Sequence, residues 1–169
     1  MLGGGFIRTI AIALGALACS SAPPPMPPSS PSHLLKQTMP SIRRPAIDGR
    51  PFDSGTYRDR VLVVKFFAKY CAPCQKTLPA TEALHRKRPD VVVVGISEDE
   101  TTADAREQVR QHGLSFPVIQ DAGNVLAGRF RVSEMPVTFV GDYGGHVAWV
   151  GGPDQTDEAL AQAIEALRR

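Results

Sequence analysis

A chain of 169 residues has room for one ordinary domain with a proper core, plus flanking segments. Its hydrophobic fraction of 43% is globular, and a net charge of +2 gives no reason to look for nucleic acid or an acidic substrate. The four histidines are scattered without ligand spacing, and three cysteines are too few for a disulfide scaffold that must close several long loops.

The N-terminus reads as an address. Arg8 supplies a thin positive region and residues 9–18 a short apolar one. That run is below the roughly 20 residues needed to span a bilayer and suits a secretory signal over residues 1–18. The alternative is a free hydrophobic helix. Ala16-Leu17-Ala18-Cys19 resembles the lipobox of bacterial lipoproteins, in which the cysteine becomes the lipidated first residue, although Ala16 stands where leucine is common. Ordinary cleavage with Cys19 incidental is the competing reading. Residues 19–41 carry Pro23, Pro24, Pro25, Pro27, Pro28 and Pro31 among serines. Such a composition predicts a disordered, polyproline-like tether rather than a peptide ligand.

The domain is predicted over residues 42–169. Residues 42–57 form an extension with a small hairpin turning at Asp48-Gly49. VLVVKFF at 61–67 is a strand buried on both faces, and 72–87 is helical until Arg88-Pro89-Asp90 stops it. VVVVGI at 91–96 is a second buried strand, and 101–112 a helix closing at Gly113. FPVIQD is a short extended piece, and 124–130 a short helix. After Pro136, VTFV, DYGG and HVAWV read as strand, turn and returning strand. Residues 156–167 close the chain as a helix with Leu160, Ile164 and Leu167 on one face. This order predicts an α/β domain: a central mixed β-sheet flanked by helices on both faces.

Cys71 and Cys74 stand two residues apart where the first buried strand gives way to a helix. A helix N-terminus stabilises an anion, and the thiolate is the reactive form of cysteine, so Cys71 is placed for a lowered pKa. Cys74, one turn on, is close enough to form a disulfide with it. Pro73 fits the first helical turn, where its missing N–H costs little. Structural zinc would need two further matched ligands, and haem attachment a histidine where Gln75 stands. Redox chemistry is the reading favoured over two inert buried thiols.

From about residue 45 onward the chain resembles the thioredoxin superfamily, and within it the TlpA/ResA-like envelope thiol–disulfide oxidoreductases. The matching pieces are VLVVKFFAKYCAPCQKTLP, VVVVGISEDE, HGLSFPVIQD, VSEMPVTFVGDYGGHVAWVGG and the last helix. Pro79 matches the kink of the active-site helix, and Met135-Pro136 the superfamily's cis-proline. The resemblance implies a thioredoxin-like fold, Cys71 as attacking thiol and Cys74 as resolving thiol. It also implies that Met135, Pro136 and Tyr70 lie against the substrate. Neither metal nor organic cofactor is implied. The partners implied are protein disulfide substrates and a thiol electron donor at the membrane, for a monomeric, exported periplasmic protein tethered through a lipid on Cys19. Cytochrome c maturation and general disulfide reduction are the two settings.

Three positions depart from that pattern. Tyr70 replaces a tryptophan and keeps an aromatic shield. Thr77 stands where many relatives carry a glutamate, which leaves the proton acceptor unassigned; Glu82 is a turn too far along, and Glu134 is better placed to influence substrate charge. Lys65 replaces a carboxylate or asparagine beneath the active site. It either favours nearby thiolate or snorkels to the surface with its stem packed. Two other classes share the fold. A redoxin-type peroxidase would carry T-x-x-C, which Lys69-Tyr70-Cys71 lacks. A Sco-type copper carrier would have three residues between its cysteines and a partnering histidine, for which His146 is the distant candidate.

Overall fold

The computed structural model describes residues 22–169, so the predicted signal segment and Cys19 lie outside the described residues. A small antiparallel hairpin comes first, β1 (Arg43–Pro45) and β2 (Pro51–Asp53), turning through Gly49 as predicted. Then follow β3 (Leu62–Phe67), α1 (Ala72–Lys87), β4 (Val92–Ser97), α2 (Thr102–His112) and β5 (Val118–Gln120). The chain ends with α3 (Val125–Phe130), β6 (Val137–Gly141), β7 (Val147–Gly151) and α4 (Asp157–Ala166). The sheet order is β5-β4-β3-β6-β7, with β3, β4 and β5 parallel and β6 and β7 antiparallel to their neighbours. The expected mixed sheet is therefore present.

Alternation along β3 divides the core. Leu62, Val64 and Phe66 face Ile42, Phe52 and the α3 residues Leu126 and Phe130. Phe130 sits 5.2 Å from the Phe66 ring and 5.1 Å from Phe139. Val63 and Phe67 point the other way, toward Cys71, Cys74 and Leu78 of the α1 region, Trp149, and Leu160 and Ile164 of α4. Helices cover both faces because β3 and β4 are apolar on both.

Gly95 on β4 is fixed by close approach. A Cβ there would meet Phe67 Cε1 and Phe116 Cε2, each at 2.9 Å. Gly95→Ala is expected to cost roughly 1–3 kcal/mol, because two ring edges must shift in a packed core. Urea unfolding should show a lower midpoint at unchanged slope.

The expected tether needs correction. Its described part is packed on the domain rather than free. Ser30 N donates to Val150 O at 2.7 Å, Lys36 N to Val147 O at 2.7 Å, and Val147 N to Gln37 O at 2.8 Å. Trp149 Nε1 donates to Pro28 O at 2.9 Å, and Gln162 Nε2 to Pro25 O at 2.9 Å. Met39 is buried in the core. The physical reason is that β7 is an edge strand with unpaired backbone groups, and a neighbouring segment that satisfies them protects the sheet. A proline-rich segment still offers its carbonyls for this. The packed body therefore begins well before residue 42.

Candidate active site

The site is built where β3 runs out. Phe67 ends the strand, and residues 68–70 form a tight link in which Cys71 N donates to Ala68 O at 3.1 Å. Asp99, buried just past β4, holds that link: its Oδ1 accepts Lys69 N at 2.8 Å, and its Oδ2 accepts Ser97 Oγ at 2.8 Å. Lys69 Nζ reaches Asp104 at the start of α2, 2.6 Å away. The loop carrying the cysteines is thus tied to the two elements beside it.

Cys71 is the N-cap of α1, and its sulfur accepts the Cys74 N–H at 3.2 Å. Pro73 lies in the first turn as predicted, and α1 continues through Pro79. The two cysteines form a disulfide, with Cα atoms 5.2 Å apart. Their accessibilities differ: Cys71 is 7% exposed and Cys74 0%. Cys71 is the less deeply buried of the two. Cys74 is sealed behind it among Leu78, Phe67 and Trp149.

Behind the pair, Gln75 is clamped between α1 and α2. Its amide donates to Gln108 Oε1 at 2.8 Å, and its Oε1 meets His112 Nε2. Burial holds the His112 pKa below the usual histidine range. Thr77 Oγ1 donates to Cys74 O at 3.2 Å, so the position lacking a glutamate is occupied by a backbone-bonded hydroxyl. Glu82 is committed elsewhere, accepting Ser115 N at 2.8 Å, Ser115 Oγ at 2.6 Å and the Arg86 guanidinium. Burial pushes its carboxyl up, but these donors outweigh it and leave the pKa lowered. It braces the start of β5 and does not serve the thiols.

Lys65 does not snorkel. Its side chain is 0% exposed, and its Nζ donates to Thr138 Oγ1 on β6 at 3.2 Å. Burial drives its pKa down to about 7, with the Asp157 charge opposing the shift. A strand buried on both faces leaves the stem no route to water, so the snorkelling alternative is overturned. Alternation puts Lys65 on the face of Phe67, which is the face holding both cysteines.

Met135–Pro136 is a cis peptide, Pro136 is buried, and Met135 packs against the cluster that contains Cys71 and Cys74. Tyr70, the residue before Cys71, is 68% exposed, and Glu134 is exposed just before Met135. The predicted site residues Cys71, Cys74, Tyr70, Met135, Pro136 and Lys65 therefore meet at one end of the sheet. His146 does not: it lies in the β6–β7 turn, next to Gly141, whose cross-strand partner Leu62 is at the far end of β3. Among the described residues, no group of three or more His, Cys, Asp or Glu gathers as a metal site.

One residue at this end was missed from the sequence. Glu98 follows β4, its Oε1 is buried without a hydrogen-bond partner, and burial raises its pKa, with Asp121 adding to the effect. Burial and the charges of Glu98, Asp99 and Glu100 together raise the Tyr70 pKa. The acidic run Ser97-Glu98-Asp99-Glu100 straight after a buried strand was the signal for it.

Comparison with known proteins agrees with this geometry. The AhpC/TSA family model matches residues 35–150. The thiol-disulfide oxidoreductase ResA of Bacillus thuringiensis (strain Al Hakam) is 28% identical over 123 residues, covering 72% of this chain and 71% of that one. A secreted disulfide oxidoreductase of Mycobacterium tuberculosis superposes with a TM-score of 0.69 at 22% identity, over 75% of this chain and 96% of that one. The pneumococcal exposed lipoprotein thioredoxin Etrx1 of Streptococcus pneumoniae gives 0.65 at 21% identity, over 76% and 100%. With the disulfide at its helix start and a thioredoxin-like sheet behind it, the chain belongs to the AhpC/TSA family and is a ResA-like thiol–disulfide oxidoreductase of the thioredoxin superfamily.

Proposed function

We propose that this protein reduces disulfides of protein substrates in the bacterial cell envelope, with Cys71 attacking and Cys74 resolving. The observation that carries this reading is the contrast between the two cysteines: Cys71, capping a helix N-terminus, keeps 7% exposure, and Cys74 keeps none. Cys71 thiolate attacks a substrate disulfide and expels one substrate thiolate, giving a mixed disulfide. Cys74 then attacks the Cys71 sulfur, the second substrate thiolate leaves, and the Cys71–Cys74 bond closes. Met135, Pro136 and Tyr70 form the surface that meets the substrate chain around the reacting sulfur. Electrons return from a membrane-bound thiol protein. Cytochrome c maturation and general disulfide reduction both fit this chemistry. Lipidation of Cys19 would hold the domain at the membrane, and the mass of the native N-terminus decides that point: an unmodified chain starting beyond Cys19 excludes it.

The direction follows from charge. Strong oxidants stabilise the reduced form through a very low thiolate pKa. Between these cysteines stand only Ala72 and Pro73, and burial draws Lys65 toward neutrality. The reduction potential should therefore lie nearer the roughly −270 mV of thioredoxin than the roughly −120 mV of a dedicated oxidant. Equilibration with glutathione buffers measures it, and a value near −120 mV would overturn the reducing direction. Insulin reduction run beside peroxide turnover and copper titration separates the peroxidase and copper-carrier alternatives.

A further inference from the structure

The N-terminal strap leaves an opening beside the cis-proline loop. Ser30 N donates to Val150 O and Lys36 N to Val147 O, each at 2.7 Å, so residues 31–35 of the strap span the same two anchor points as residues 148 and 149 of β7. The longer stretch bows outward. Beneath the bow lies a recess of about 370 Å³. One wall runs from Ser30 to His33 and the other from Arg131 to Glu134, over a floor of Val137 and Phe139 on β6 and Val150 on β7. Resting on the reductase reading, we propose that this recess is a substrate subsite. It takes a lysine or arginine side chain of the protein whose disulfide Cys71 attacks, with Glu134 as the ionic partner.

The recess is continuous with the surface that meets the substrate. Glu134 directly precedes the cis peptide Met135–Pro136. Met135 packs against the cluster that holds Cys71 and Cys74, and Val137, just past the cis peptide, belongs to the opposite core face and floors the recess. A substrate chain laid across the cis peptide therefore reaches from the thiols to the recess within a few residues, at about 3.3 Å each. The strap is fastened at the same junction. Gly152 N donates to Ser30 Oγ at 2.8 Å, and a Cβ on Gly152 would meet Ser30 Oγ at 2.8 Å and Glu134 Oε1 at 3.6 Å.

An apolar floor with a carboxylate in the wall suits an aliphatic stem that ends in a cation. None of the ion pairs among the described residues uses Glu134, Arg131 or His33. Arg131 and His33 by themselves would favour an anion, and the wider field decides against it. The loops leaving β4 and β7 and entering β6 at this end of the sheet expose Glu100, Asp154, Asp157 and Glu158 beside Glu134. The cations here are Arg131, Lys76 and Lys69, and Lys69 is already bound to Asp104. A negative end draws a basic surface toward the thiols and orients it.

The probe is a set of short peptides, each with one cysteine joined as a disulfide to nitrothiobenzoate. The Cys71 thiolate of the reduced full-length protein attacks the peptide sulfur, and nitrothiobenzoate leaves as the coloured thiolate. Lysine, alanine or glutamate is placed at successive positions on either side of the cysteine. At one position lysine should react roughly three- to tenfold faster than alanine, and glutamate more slowly than both. Glu134→Gln should bring the lysine-to-alanine ratio close to unity. His33→Glu, which adds a carboxylate to the strap wall, should raise it. Equal rates for lysine and alanine at every position, or a ratio that survives Glu134→Gln, overturns the proposal. So does a lysine advantage of the same size at all positions, which is steering by the whole acidic end. An unchanged ratio in His33→Glu overturns the part given to the strap. Failure to reduce insulin with the position-specific preference intact would count against the reducing direction alone. Insulin reduction without the preference would count against the subsite alone.

Discussion

Lys65→Met is expected to stabilise the oxidised protein against heat, and most strongly below pH 7. The sign follows from where the protons are. Lys65 has a folded pKa of about 7 against an ordinary value of 10.5. Between those values the unfolded chain binds more protons than the folded one, so wild-type stability rises with pH across that window. Below about pH 7 the folded protein carries the full penalty. At about 1.4 kcal/mol per unit this is at most about 5 kcal/mol. Removing the lysine also removes its hydrogen bond to Thr138, worth about 1 kcal/mol. Methionine matches the stem in volume and fills the space without a charge. The net gain should raise the melting temperature of a chain this size by on the order of 10 °C at pH 6, and by clearly less at pH 10. Calorimetry of both oxidised proteins across that range is the check. Equal gaps at the two pH values would mean that Lys65 is not held near neutrality by burial.

Much of this was legible in the sequence, for reasons that can be named. The two buried strands announce themselves as unbroken apolar runs, and the Cys71–Cys74 pair at a strand-to-helix junction needs no tertiary information to be read as redox-active. Gly113 closes α2 in the left-handed conformation that its place after His112 suggested. What escaped depends on partners distant in the chain. In VLVVKFF, a lysine flanked by apolar residues is equally compatible with a snorkelling and an enclosed side chain. Only the packing of α1 and α4 over that face decides. Residues 22–41 read as a tether because composition counts the apolar surface a segment can bury by itself. It does not see the open edge of β7, where Val147 and Val150 supply the missing hydrogen-bond partners. Glu98 belongs to the same category: an acidic residue after a strand is ordinary until the fold encloses one of its oxygens.

The Cys71 and Cys74 substitutions should have the largest effect on activity. Catalytic reduction of a protein disulfide needs both thiols, so Cys71→Ser and Cys74→Ser should each lose essentially all turnover in an insulin assay. They should lose it in different ways. Without Cys74 the attack is still expected, because Cys71 caps the N-terminus of α1 and is the more exposed of the two cysteines. The mixed disulfide then has no internal thiol to resolve it. Without Cys71 the remaining thiol is enclosed, and a folded substrate cannot reach it. Stability should change little on losing a bridge that closes so short a loop. The most direct test is therefore to express each variant in its native host, quench with acid, and identify covalent adducts by non-reducing separation and mass spectrometry. Cys74→Ser should accumulate substrate proteins joined through Cys71, and Cys71→Ser should accumulate none; adducts through Cys74 in the Cys71→Ser protein, with none through Cys71, would contradict the account.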